Sequence, residues 1–244
     1  DKLVPIVGNP PKQFLRVRDK QNFFAELKRL EVPHPKTVMA RNLAEAKSIS
    51  KDLGLPLLLK PGAGFGGAGI RKASNLRALE DAFRSIHASG CSVLIQEYVL
   101  GTHASASVIS IPGKALTLVV SQQLLGMPKV GQREPFGYCG NMVPLSAPAH
   151  IIERCKDTAE RVVSHFGLIG SNGVDLVISE KGRPNVIEVN PRFQGTIECV
   201  ERVLGLNLVE AHVRACVEGR LPAILKETES FCMRLVLFAK QRSA

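Results

Sequence analysis

The stretch GVDLVISEKGRPNVIEVNPRFQG, residues 173–195, constrains this chain more than any other segment. Two β-prone runs flank a polar turn with Gly182 in its middle, the pattern of a β-hairpin. With Lys181 and Gly182 as a two-residue loop, paired positions sum to 363, which sets Asp175 across from Glu188 and Asn190 across from Gly173. Residues two apart on a strand project to the same side, and directly opposed Cβ atoms lie about 5 Å apart, so three oxygen-bearing side chains share one face. Facing carboxylates repel, and the pair requires a cation or one protonated carboxyl. Mg²⁺ suits such a set, because a hard cation takes a few carboxylate or amide oxygens and keeps other positions for phosphate and water. A solvated hairpin face with incidental acids is the plainer alternative. Pro184 has to lie where no ladder N–H is needed.

Upstream, LLLKPGAGFGGAGI ends a strand on Lys60 and then sets five glycines, Gly62, Gly64, Gly66, Gly67 and Gly69, within eight residues. Without Cβ atoms in the way, successive N–H groups can converge on an anion such as a polyphosphate. The segment has neither a GxGxxG leading into a dinucleotide-binding helix nor a Walker pattern ending in GK[ST], which excludes both of those readings. A flexible turn would also be rich in glycine.

The rest of the chain reads as α+β. Residues 1–18, with Pro5, Pro10 and Pro11, read as an irregular leader or the remnant of an upstream segment. Asp19 reads as an N-cap for a helix carrying Phe23, Phe24, Leu27 and Leu30, and Asn42 as the cap of a helix ending at Gly54. A capped helix is expected from Ser74 or Asn75 to Ala88, then a strand over 93–98. A hairpin of Ala106–Ile111 with Ala115–Ser121 turns at Pro112 and Gly113. Residues 122–148 read as a long loop, and Arg133, Tyr138 and Asn141 in it are candidates for substrate contact. Helices over 151–166, 198–204 and 208–218 and a final strand over 232–239 complete the pattern. The expected division is a leader at 1–18, a first lobe with the glycine-rich loop at 19–98 and a second lobe with the acid hairpin at 99–244.

Composition narrows the function classes. A hydrophobic share of 45% with 22% charged residues suits an ordered globular chain, and no apolar run approaches the roughly 20 residues of a membrane span. The six cysteines show no CxxC pair and no zinc spacing, so they read as reduced thiols of a cytoplasmic protein. A net charge of +10 raises nucleic-acid binding, yet the basic residues are dispersed, never more than two adjacent, and Tyr and Phe are few. A solvated surface with a local site for anionic ligands accounts for the charge better.

In order, RDK at 18–20, LLLKPGAGFGGAG at 57–69, QEYV at 96–99, GVDLVI at 173–178 and EVNPRFQG at 188–195 resemble the ATP-grasp superfamily over residues 19–220. NPRFQ looks most like the biotin-carboxylase branch, and the whole is similar to predicted ATP-dependent carboligases. The resemblance implies two α+β lobes with antiparallel sheets clamping ATP. Lys20 and Lys60 would then hold the α- and β-phosphates, with the glycine loop as a lid over the β- and γ-phosphates. Gln96, Glu97, Tyr98 and Val99 would form a hinge at the adenine. His103 would stand where many relatives place a ribose-binding acid. Asp175, Glu188 and Asn190 would bind two Mg²⁺ ions, with Mn²⁺ as a substitute, and Arg192 and Gln194 would face the acceptor carboxylate. The family usually carries an N-terminal Rossmann-like domain before the first lysine; only 19 residues precede Lys20, so that domain is expected to be absent from this sequence.

The function this implies is activation of a small-molecule carboxylate as an acyl phosphate for attack by an amine, releasing ADP and phosphate, in a protein that could be a homodimer. The alternatives are biotin-carboxylase-like use of bicarbonate and a non-catalytic nucleotide or nucleic-acid binder. No protein nucleophile is required, in keeping with the lack of a Ser or Cys triad signature.

Overall fold

Each turn of the chain is set by a local signal. The computed structural model describes residues 6–62, 66–223 and 230–239. Helix α1 (Pro11–Arg18) opens on a proline at its first position, where no N–H is needed. It falls in the expected irregular leader, which is therefore partly helical. Proline spacing misled there, because a helix start tolerates Pro. Asp19 ends α1 and caps α2 (Lys20–Arg29) by accepting from the Asn22 N–H. Strand β1 (Thr37–Ala40), not expected from sequence, leads to α3 (Leu43–Leu53), capped by Asn42 and closed at Gly54. Strands β2 (Leu57–Pro61) and β3 (Arg71–Ala73) bracket the glycine loop, and α4 (Leu76–His87) and β4 (Val93–Glu97) follow.

Hairpin β5 (Gly101–Ile111) and β6 (Lys114–Leu125) turns at Pro112–Gly113 as expected. The supposed loop 122–148 is corrected: β6 runs to Leu125, a 3₁₀ turn spans Pro128–Val130, and β7 (Tyr138–Val143) is a strand. Glycines and prolines hid β7, although its Cys139, Gly140, Asn141 and Val143 are buried. Helix α5 (Ala149–His165), hairpin strands β8 (Gly170–Ser179) and β9 (Pro184–Asn190), α6 (Ile197–Leu204), α7 (Leu208–Glu218) and β10 (Cys232–Leu235) complete the order.

The chain forms two compact units. One holds the residues up to His34 with Gly101–Gln123 and Gly140–Leu235; the other holds Pro35–Leu100, Leu124–Cys139 and the residues from Val236. Residues 19–34, placed in the first lobe on sequence grounds, group with the acid hairpin. Their Phe23, Phe24 and Leu27 enter the same apolar core as Phe166, Leu176 and Val189. The second unit closes over Leu57, Leu59, Leu79, Phe83, Val93 and Ile95.

Both sheets are antiparallel and open, with strand orders β1-β4-β2-β3 and β10-β7-β6-β5-β8-β9. β9 lies at a sheet edge, where Pro184 removes no ladder bond on its free side.

Candidate active site

Asp175 pairs with Glu188 and Gly173 with Asn190, as the sequence predicts. The turn, however, is not the expected one. Ser179 N–H donates to the Arg183 carbonyl at 3.0 Å and Gly182 N–H to the Ser179 carbonyl at 2.8 Å, which makes a three-residue loop of 180–182 with Gly182 at φ +68°. Near the turn Ile178 faces Pro184 and Leu176 faces Val186; a bulge between Asp175 and Leu176 absorbs Ile187 and brings Asp175 back opposite Glu188.

Lys20, the first residue of α2, places Nζ 2.7 Å from Glu188 Oε1. Asp175 accepts from three sides: Ser105 Oγ–H at 2.7 Å and Gln123 Nε2–H at 3.0 Å onto Oδ1, and Asn190 Nδ2–H at 3.0 Å onto Oδ2. Burial, and next the charge of Glu188, push the Asp175 carboxyl up from 3.8 to about 6, against the opposing pull of Ser105, Lys20 and Asn190. An acid raised first by burial and then by its acidic neighbour is a site short of positive charge. The oxygens of Asp175, Glu188 and Asn190 therefore fit a hard divalent cation, with the Asn190 amide turned to present Oδ1. Among the described residues no three His, Cys, Asp or Glu side chains gather at ligand spacing; the donor set is two carboxylates and an amide.

Arg192 is exposed and donates to the Phe193 carbonyl at 2.9 Å and to Asn190 Oδ1 at 3.4 Å. Gln194 lies over Gly173, where an added Cβ would sit 2.1 Å from its Nε2. Its Nε2 donates to Ser105 Oγ at 2.6 Å, and its Oε1 accepts from Ser107 Oγ at 2.9 Å. His103 is opposite Val177 on β5, on the same strand face as Ser105 and Ser107. Gly101 beside it is required by packing, since a Cβ there would lie 2.0 Å from the Ile178 carbonyl oxygen.

Sequence reading missed Ser105, Ser107 and Gln123. The available signal was the alternation Ala104-Ser105-Ala106-Ser107, which puts two hydroxyls on one face of a strand whose other face is apolar. Asn141, a candidate for substrate contact, is buried and donates to Ser121 Oγ at 3.1 Å.

The second unit holds the other predicted residues. Lys60 sits on β2 opposite Leu94. Gly62 N–H donates to the Ser92 carbonyl at 2.7 Å, and Gly66, Gly67 and Gly69 have φ of +60°, +78° and +75°. Gly64 lies outside the described residues. The loop rests on β7, whose Tyr138 N–H donates to the Gly66 carbonyl at 3.0 Å, and Arg71 pairs with Glu134 at 2.5 Å. Gln96 is buried and spends its amide on Thr37 Oγ1 at 2.8 Å. Glu97 accepts from the Lys36 N–H at 3.2 Å, Lys72 Nζ stands 3.9 Å over the Tyr98 ring, and Val99 is half-buried.

Two open antiparallel sheets backed by helices, one bearing an acid pair, a lysine and an amide on a hairpin, define an α+β protein of the ATP-grasp fold. The chain belongs to the ATP-grasp domain family, whose model matches residues 17–196. It is similar to the carbamoyl phosphate synthase large chain of Helicobacter pylori, 25% identical over 226 residues that cover 91% of this chain and 20% of that protein. Among solved structures it is similar to the biotin carboxylase domain dimer of Hydrogenobacter thermophilus 2-oxoglutarate carboxylase, in complex with MgADP, ADP and bicarbonate. There the TM-score is 0.80 at 22% identity, over 95% of this chain and 52% of the other. N5-carboxyaminoimidazole synthase from Aspergillus clavatus, in complex with ADP and 5-aminoimidazole ribonucleotide, gives a TM-score of 0.80 at 15% identity, over 93% and 58%. The chain thus spans about a fifth of that curated relative and about half of the solved chains. Among the described residues no helix is long and apolar enough to cross a membrane.

Proposed function

We propose that the protein is an ATP-dependent ligase that activates a small carboxylate as an acyl phosphate and passes the acyl group to an amine, with ADP and phosphate as products. The observation that carries the reading is the facing pair of Asp175 and Glu188 with Lys20 against it, in a chain of the ATP-grasp family.

Each residue has a part to play. Lys20 and Lys60 would neutralise the α- and β-phosphates, and the loop Gly62–Gly69 would cover the terminal phosphates with its N–H groups other than that of Gly62, which bonds the Ser92 carbonyl. Gln96, Glu97, Tyr98 and Val99 would form the adenine segment, with backbone groups beyond the end of β4 facing the base, and His103 would stand at the ribose. Gln96 keeps its side chain for Thr37 and its backbone lies in β4 between β1 and β2, so its part would be to brace this segment. Asp175, Glu188 and Asn190 would hold two Mg²⁺ ions, or Mn²⁺ in their place. Bound there, the ions would neutralise the phosphate tail that an anionic carboxylate must approach in line. The exposed Arg192 guanidinium would take that carboxylate as a fork, and Gln194 would form the wall beside it. Holding both anions at one site supplies the orientation.

The test is ADP release screened over acid and amine mixtures, with mass spectrometry of the product. Acceptor-dependent release in the parent and its loss in folded Glu188→Gln are expected; release indifferent to every acceptor would remove the reading.

Bicarbonate as the activated carboxylate is the second reading, favoured by the bicarbonate bound in the 2-oxoglutarate carboxylase domain. Stimulation of ATP hydrolysis by bicarbonate alone would select it. Tight, steeply salt-dependent RNA binding without ATP hydrolysis would select a non-catalytic binder instead. A cytoplasmic homodimer completes the proposal; the dimer of that same relative supports the assembly.

A further inference from the structure

We propose that Ser105 and Ser107 are positioning residues that lock the Gln194 amide in one orientation, and that Ser105 ties this amide to the metal-facing Asp175. The inference rests on the ligase reading and goes beyond it to the residues that set the acceptor side.

Hydrogen-bond polarity determines the orientation. Asp175 Oδ1 accepts from Gln123 Nε2–H at 3.0 Å and from Ser105 Oγ at 2.7 Å, so Ser105 spends its single hydroxyl hydrogen on Asp175. Ser105 Oγ is then free only to accept, and the group 2.6 Å from it has to be the NH₂ end of Gln194. That turns Oε1 of Gln194 to Ser107, whose hydroxyl donates at 2.9 Å. The chain of bonds runs one way, from Ser107 through Gln194 and Ser105 to the carboxylate.

The sheet makes the arrangement possible. Ser105 is opposite Asp175 and Ser107 opposite Gly173 in the β5–β8 ladder, so the two hydroxyls flank the gap that Gly173 leaves for Gln194. Both serines are buried, at 2% and 5% exposure, and water cannot readily replace them. One Nε2 hydrogen of Gln194 goes to Ser105 and the second is left for an anionic acceptor. If the amide flipped, its oxygen would meet that anion and repel it.

The experiment is steady-state kinetics on Ser105→Ala, Ser107→Ala, Ser107→Thr and Gln194→Met, with calorimetry of Mn²⁺-ADP binding and side-chain amide NMR. Ser107→Ala should raise the acceptor KM about tenfold, the worth of one buried hydrogen bond, with Mn²⁺-ADP affinity unchanged. Ser105→Ala should weaken both, and Ser107→Thr should restore the parent values. In a Gln194→Met background, Ser107→Ala should add nothing. An unchanged acceptor KM in Ser107→Ala, or additive losses in the double variant, would overturn the inference. Absence of acceptor-dependent ADP release from the parent would sink the ligase reading instead. In that event the NMR still decides the orientation: the Gln194 amide signals should shift in Ser107→Ala and hold in Ser107→Thr, and signals that stay put in both would refute it.

Discussion

Asp175 and Glu188 face each other across β8 and β9, and Lys20 reaches Glu188 at 2.7 Å while Asp175 is left with neutral donors. The imbalance makes Asp175 the point where a proton would compete with a bound metal ion.

With its pKa raised from 3.8 in the unfolded chain to about 6 when folded, Asp175 favours the folded state below pH 3.8. The advantage is lost as pH rises from 3.8 to 6, and above that window the metal-free protein carries the whole penalty, on the order of 2 kcal/mol after partial screening. Asp175→Asn should therefore raise the melting temperature of the metal-free protein at pH 7.5 and change it little at pH 4. It should also remove stabilisation by Mg²⁺. Melts at both pH values, with and without Mg²⁺, check this; equal shifts at the two would contradict it.

Lys20→Met removes the cation beside the acid pair. ADP release should fall about 100-fold if the lysine stabilises phosphate charge, and stability at pH 7.5 should drop by about 1–2 kcal/mol through acid repulsion. Kinetics with a urea titration would separate the two effects.

Gly66 and Gly67 give a matched pair. Both have positive φ, but a Cβ at Gly66 meets nothing within 4 Å, whereas at Gly67 it would lie 2.0 Å from the Phe136 carbonyl oxygen. Gly66→Ala should cost about 1 kcal/mol. Gly67→Ala should cost clearly more, because backbone has to move, and should raise the KM for ATP. Equal melting temperatures for the two variants would show that Gly67 does not rest against the Phe136 backbone in solution.

Asn9 holds the N-terminal segment to β8 and to the residues that flank the β8–β9 hairpin. Its Nδ2 donates to Asn172 Oδ1 at 2.8 Å and to the Pro191 carbonyl at 3.3 Å, and its Oδ1 accepts from the Ile169 N–H at 2.8 Å. Asn9→Ala should lower stability by about 1–3 kcal/mol, since it strands a backbone donor and a buried amide. A denaturant midpoint within error of the parent would refute this.

The Asp175–Glu188 pairing was legible for a reason that is only half right. A uniform two-residue turn gives the observed partners, yet the molecule reaches them through a three-residue turn and a compensating bulge at Ile187. Hydrophobic alternation specifies which face each side chain takes, and two single-residue offsets of opposite sense leave that face unchanged. Helix caps at Asp19, Asn42 and Asn75 were legible because capping is local chemistry. Helix α1 and strand β7 were not, since Pro at a helix start and Gly in a buried strand carry the same letters as a loop.

What the amino-acid order alone determined is therefore local: the glycine loop after Lys60, the caps, and the face shared by Asp175, Glu188 and Asn190. Only the tertiary structure decided that Lys20 meets Glu188, 168 positions away, and that Ser105, Ser107 and Gln123 surround Asp175 and Gln194. Those contacts arise from strand order and core packing. A serine's letter does not reveal which acid lies across the ladder, and hydrogen-bond polarity acts only once the strands are side by side.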